Sequence, residues 1–199
     1  MLRCARAFLL AVLLALSLPA QSTTFVRLSL EEMTGYATRI VEARALESHS
    51  EWNAEHTRIF TYTTFEVLDS LKGVSPGERV VVKQFGGKVG HLVMHVHGEP
   101  RFQPGDEAVL FLFDDSEEPG TARVVGMAQG NFRVERDRAT GEKFVVSALE
   151  GANYFDPRTQ MFSKPTERLP LEEFKQRVQG LIAPESAEPQ GEATRRKEK

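Results

Sequence analysis

The sequence predicts a mainly β domain, a barrel or a sandwich of about seven or eight short strands with a helix at either end. Runs of β-branched and aromatic residues recur between Ile40 and Ala148. Turn signals separate them at near-regular intervals, among them Ser75-Pro76-Gly77-Glu78, Pro104-Gly105-Asp106 and the stretch from Asp137 to Gly141. Helical periodicity is confined to the two flanks, and no internal repeat is visible.

The elements follow in order. Ser29-Leu30-Glu31-Glu32 is a capping box, in which the Ser29 hydroxyl accepts from the Glu32 backbone N–H and the Glu32 carboxylate reaches back. Leu30, Met33 and Ala37 recur at helical spacing, so a short helix is expected from about Leu30 to Thr38, despite Gly35. Ile40 to Leu46 then alternates apolar with charged residues, the mark of a half-buried strand. A helix is the competing reading there, because Glu, Ala and Arg favour it. Thr57 to Leu71 carries apolar groups on both faces: Ile59, Phe65 and Val67 on one, Phe60, Tyr62 and Leu68 on the other. Such a strand is buried on both sides or changes face at a bulge.

Arg79 to Phe85 is the next strand, stopped by Gly86-Gly87, and His91 to His97 another. Ala108 to Phe113 is a nearly unbroken apolar run, expected to be central. Ala122 to Ala128, Asn131 to Glu135 and Lys143 to Ala148 supply three more strands, and the stretch after Gly151 reads as irregular. Leu169 to Ile182 is an amphipathic helix with Leu171, Phe174, Val178 and Leu181 on one face. Past Pro184 no large apolar residue remains, so disorder is expected there. The expected organisation is a signal peptide at 1–22, a β domain at 23–168, a packed helix at 169–183 and a disordered tail at 184–199.

The first residues carry an address. Arg3 and Arg6 precede an apolar run from Ala7 to Leu18, Pro19 breaks it, and Ala20-Gln21-Ser22 offers small residues to a signal peptidase. Cleavage is expected after Ser22, with Ala20 as the second choice. An uncleaved anchor is the alternative, although the run is shorter than the roughly 20 apolar residues of a membrane span. The chain is therefore expected in the periplasm or outside the cell, with no stable membrane insertion after cleavage. Removing 22 of 199 residues leaves 177 and no cysteine, since Cys4 lies in the leader. That excludes a catalytic thiol, a disulfide and a thiolate metal site. The remainder holds 23 basic against 28 acidic side chains, which argues against nucleic acid or an anionic membrane as the main partner.

Chemistry is sparse. If residues 91–97 form a strand, His91, Val93, His95 and His97 share one face, and Leu92, Met94 and Val96 face the core. His95 and His97 are then about 7 Å apart along the backbone and can converge on one zinc or copper ion. Glu99 can add an oxygen ligand, whereas His91 is too distant without a bend. No His-Glu-x-x-His helix, Gly-x-Ser-x-Gly elbow or phosphate-cradling loop is present. Trp52, between His49 and His56, is placed in a polar connection from Glu47 to Glu55, where it is either a partner-binding side chain or a plug over one end of the barrel.

Three segments carry a resemblance. Thr64 to Gly73 ends in Leu-Lys-Gly, Gly77 to Gly87 ends in Gly-Gly, and Pro100 to Leu112 reads PRFQPGDEAVLFL. Together they resemble a group of uncharacterised exported bacterial proteins, and more distantly the OB-like barrels of netrin-like domains, which include the tissue inhibitors of metalloproteinases. The resemblance implies an OB-like, closed or partly open β-barrel with a binding role and no catalytic residue. Those inhibitors act through an N-terminal cysteine that chelates the target's zinc, and the chain beyond its leader has none, so no functional residue carries over. The expected function is a non-enzymatic module that binds another protein, a protease among the candidates. The alternatives are a metal-binding protein using His91, His95, His97 and Glu99, and an enzyme with an unrecognised site. No cofactor is expected other than zinc or copper at the histidines.

Overall fold

A computed structural model of the chain describes residues 25–148, 154–156, 161–163 and 168–182. The expected leader and tail lie outside the described residues. The capping box is present: Ser29 Oγ accepts from the Glu32 N–H at 3.1 Å, and the Glu32 carboxylate accepts from the Ser29 N–H at 2.7 Å. It starts helix α1 (Leu30–Tyr36), which stops two residues short of the expected end. The Thr38 N–H is taken by the Leu112 carbonyl at 2.8 Å, which draws the chain into the sheet.

Thirteen strands are present among the described residues. They are β1 (Phe25–Val26), β2 (Arg39–Trp52), β3 (Ile59–Lys72), β4 (Arg79–Phe85), β5 (Gly87–Val89), β6 (Leu92–Met94) and β7 (Glu107–Asp114), followed by β8 (Thr121–Val124), β9 (Asn131–Arg136), β10 (Lys143–Ser147), β11 (Tyr154–Asp156), β12 (Met161–Ser163) and β13 (Leu169–Pro170). The protein is mainly β, with eight strands in one sheet ordered β13-β10-β9-β7-β2-β3-β4-β8.

Several expectations need correction. The strand at Ile40 continues to Trp52, so of the expected connection from Glu47 to Glu55 only Asn53 to Glu55 lie in a loop. Residues Glu47 to Trp52 pair with Thr64 to Ile59 of β3, and a partner strand satisfies their backbone although their side chains are polar. The expected change of face is present as register shifts in the β2–β3 pairing at Ile40/Val41, Glu42/Ala43 and Ala45/Glu47. The strand at Ala122 ends at Val124, because Gly126 (φ 62°) turns the chain into a 3-10 turn, Met127–Gly130. The stretch after Gly151 contains β11 and β12, and β1 runs parallel to β11. Leu169 and Pro170 pair with β10, so helix α2 (Leu171–Ile182) begins later than its periodicity indicated.

Strand β7 has the expected central place. One edge pairs with β2 from Glu107 to Leu112. The other edge forks: Ala108 to Leu110 pair with β9, and Leu112 to Asp114 with β8. Strand β8 also lies parallel to β4 at Val81–Thr121 and Val82–Ala122, so the sheet turns back on itself in a partial ring with a seam two residue pairs long.

The two faces of β7 serve two cores. Ala108, Leu110 and Leu112 join Val41, Ala43, Phe65, Val80, Val82 and Ala122 inside the turn of the sheet. Val109 and Phe111 join Ile40, Met33, Phe132, Phe174 and Val178 beneath the helices. Phe174, buried and 4.6 Å from Phe132 between ring centroids, contributes about 2–3 kcal/mol by burial.

An ion network also holds α2 to the sheet. The buried Lys175 ammonium contacts Glu42, Asp69 at 2.9 Å and Glu172 at 3.4 Å. Lys143 contacts Glu42 at 2.9 Å and Glu107 at 3.0 Å, and Arg44 contacts Glu107 at 2.7 Å. Burial alone would lower the Lys175 pKa. Its bonds to Glu42 and Asp69 outweigh that and hold it above the ordinary lysine value.

Candidate functional site

The histidine-bearing stretch does not form the strand from His91 to His97 that alternation suggested. It is strand only from Leu92 to Met94, paired with β5 as a separate two-stranded sheet. His95 and Val96 are outside regular structure, and His97-Gly98 is a turn with Gly98 at φ 81°. Leu92 and Val93 are 47% and 67% exposed, so Leu92 does not face a core as the alternation required. A two-stranded hairpin with no layer over its outer side leaves that residue in water.

The rest of the segment is firmly seated. Gly87 packs so closely on β2 and β3 that a Cβ there would collide with the Ser50 and Thr61 hydroxyl oxygens. Those hydroxyls are 2.9 Å apart, and Thr61 donates to the Gly86 carbonyl at 2.7 Å. One step along, Ser48 and Thr63 lie 3.1 Å apart, and Thr63 donates to the Gln84 side-chain carbonyl at 2.9 Å. The Gln84 amide in turn donates to the Pro100 carbonyl. Phe102 then packs edge-on against Phe65 at 4.9 Å, so the segment closes on the inner core. Its upper part stands clear of the ring, carrying the exposed Leu92 and Val93.

His91, His95 and His97 are all exposed, and the His95 and His97 ring centroids are 5.2 Å apart. Glu99 is turned the other way. Its half-buried carboxylate accepts the Phe85 N–H at 2.9 Å over a cavity of about 280 Å³ lined in part by Gln84, Phe85, Met94 and Phe102. Burial pushes the Glu99 carboxyl above the ordinary carboxylate range, against the pull of the Phe85 N–H and of Arg123. Among the described residues, no group of three or more His, Cys, Asp or Glu side chains could hold a metal ion. The structure brings His95 and His97 together and leaves Glu99 in a different role.

Trp52 is the last residue of β2, half-buried, with its ring 6.2 Å from His56. The loop it borders is 53–58. The Asn53 side-chain carbonyl organises that loop by accepting the Thr57 and Arg58 N–H groups, each at 2.8 Å.

The sequence reading missed a cluster on the outer face of β3 and β4. Buried Lys83 contacts Asp115 at 3.3 Å and Glu118 at 2.8 Å, with its ammonium 4.5 Å from the Phe60 ring centre. Phe60 meets Phe85 at 5.2 Å, the Arg123 guanidinium lies 4.1 Å over Phe85, and His49 stacks on Tyr62 at 5.4 Å. The Tyr62 hydroxyl donates to Glu118 at 3.0 Å. Burial first, and then Glu118, pushes that phenol up to about 12. The cluster fastens the loop between β7 and β8 onto the sheet. The signal was available only in the register, because Tyr62 and Lys83 are cross-strand partners.

A larger cavity of about 410 Å³ lies elsewhere, between α1, α2 and the sheet, lined by Leu30, Met33, Phe132, Phe174 and Leu181 among others. It is mainly apolar and brings none of the candidate residues together. No protein-family model matches the chain, and no curated protein compared with it matches in sequence.

Proposed function

We propose that the chain is an exported, non-enzymatic binding module on an OB-like barrel, and that its partner is another protein, with proteases among the candidates. The strand order supports the barrel reading. The circuit β2-β3-β4-β8-β7-β2 is antiparallel except at β4–β8, which suits a five-stranded, partly open barrel of that type. The observation that carries the binding reading is the exposed pair Leu92 and Val93. They project on a hairpin whose base is fixed by packing and hydrogen bonds. A rigid mount lowers the ordering cost of association, and an apolar tip supplies the buried centre that a protein interface needs.

Site-specific photo-crosslinking tests this. A photoreactive residue at Val93 should give a discrete protein adduct in the host's exported fraction, and Leu92→Ser should suppress it. The same probe at Gln176, exposed on α2, should give none. An adduct pattern equal at both positions would overturn the reading. A panel of purified proteases then identifies or excludes that class of partner.

A further inference from the structure

We propose that His95 and His97 form a two-imidazole half-site for a tetrahedral zinc ion. Two exposed imidazoles in contact with one another carry this inference, and their spacing is one that a shared ion allows. Zinc binds imidazole nitrogen at about 2.0–2.1 Å, and a ring centre lies roughly 1.2 Å behind its nitrogen, so two imidazoles at a tetrahedral angle place their centroids about 5.3 Å apart. The observed separation is 5.2 Å.

The local backbone explains why the two rings meet. The chain leaves the strand at His95 and turns at His97-Gly98, with the Glu99 N–H bonded to the Val96 carbonyl at 3.4 Å. Both rings are exposed, so an ion reaches them without displacing the core. The site is a half-site because Glu99 is bonded to the Phe85 N–H, away from the imidazoles. Two tetrahedral positions are left for water or for a donor from another molecule. That places an open-sided zinc in the same segment as Leu92 and Val93. The inference does not depend on the protein-binding reading, since its test uses zinc alone.

The experiment is a zinc titration of the untagged full chain by calorimetry at neutral pH, after chelator treatment, with cobalt(II) as a spectroscopic substitute. One zinc per chain is expected, with cobalt bands of tetrahedral intensity. His95→Ala and His97→Ala should each weaken binding by about tenfold or more, and the double variant should abolish it, whereas His91→Ala should stay within about twofold. Circular dichroism establishes that each variant is folded, and His95→Gln with His97→Gln replaces any variant that is not. The proposal is overturned by an absence of zinc binding, by binding that survives in the double variant, by an equal loss in His91→Ala, or by cobalt bands of octahedral weakness.

Discussion

Replacing Lys175 by Met isolates what the buried ion network contributes. The methionine stem fills much of the space of the lysine stem, so the change removes charge more than volume. Lys175 reaches Glu42, Asp69 and Glu172, of which Glu42 is buried. Leaving a buried charge unpaired costs about 3–5 kcal/mol. Glu42 keeps Lys143 at 2.9 Å, so Lys175→Met is expected to cost about 2–3 kcal/mol. For a chain of this size that lowers the melting temperature by roughly 4–12 °C. Glu42→Gln should cost more, because it removes the carboxylate shared by Lys175 and Lys143. Glu172→Gln, at an exposed position, should stay within about 0.5 kcal/mol.

Acid should narrow the gap between the wild type and Lys175→Met. The hydrogen bond from Lys175 holds the Asp69 carboxyl below its ordinary value of 3.8. A depressed carboxylate contributes stability that is full above its unfolded pKa and is lost as pH falls through its folded pKa. The difference should therefore be full at neutral pH and shrink by the Asp69 contribution as pH falls below about 4. Urea unfolding from neutral to acid pH measures both effects. Equal stability of Lys175→Met and Glu172→Gln, or a loss that does not shrink in acid, would refute the reasoning. A stabilised Lys175→Met would mean that desolvating these charges outweighs their attraction.

Further consequences follow from other contacts. Gly87→Ala should loosen the hairpin, because a methyl group there meets Ser50 and Thr61, and limited proteolysis between Lys88 and Met94 should accelerate at least severalfold. Gln129→Ala should release the N-terminal segment: its side chain accepts the Leu28 N–H and donates to the Val26 carbonyl, each at 2.9 Å. Hydrogen exchange at Leu28 should rise, with a stability loss of about 1–2 kcal/mol. Glu118→Gln should lower the Tyr62 titration from about 12 part of the way to 10, leaving the contribution of burial, as read by tyrosinate absorbance against Tyr62→Phe.

The elements that could be read from the sequence were those whose signal is local. The Ser29–Glu32 cap, the glycine stops at Gly73 and Gly86, and the doubly buried run of β7 all appear where residue chemistry places them. The failures share one physical cause, dependence on a distant partner. Glu42 reads as the wet side of an alternating strand, yet Lys143 and Lys175 bury it from 101 and 133 positions away. Glu47 to Trp52 looks like a loop until β3 is placed beside it. The histidine stretch keeps its alternation at Met94 and Val96, half-buried between exposed histidines, and loses it at Leu92, where the hairpin has nothing packed over it. Of the candidate site, the pairing of His95 with His97 was legible from their spacing, whereas the inward turn of Glu99 was not.

The forked edge of β7 has a thermodynamic consequence. Its alternate residues stand in two different cores, and neither core can lose its packing without taking this strand with it. The partial ring and the helical layer are in this respect one cooperative unit, built on a common wall eight residues long. The molecule should therefore absorb heat in a single transition, with no melted half beside a folded one, while the β5–β6 hairpin, outside both cores, can reshape its tip without touching that balance.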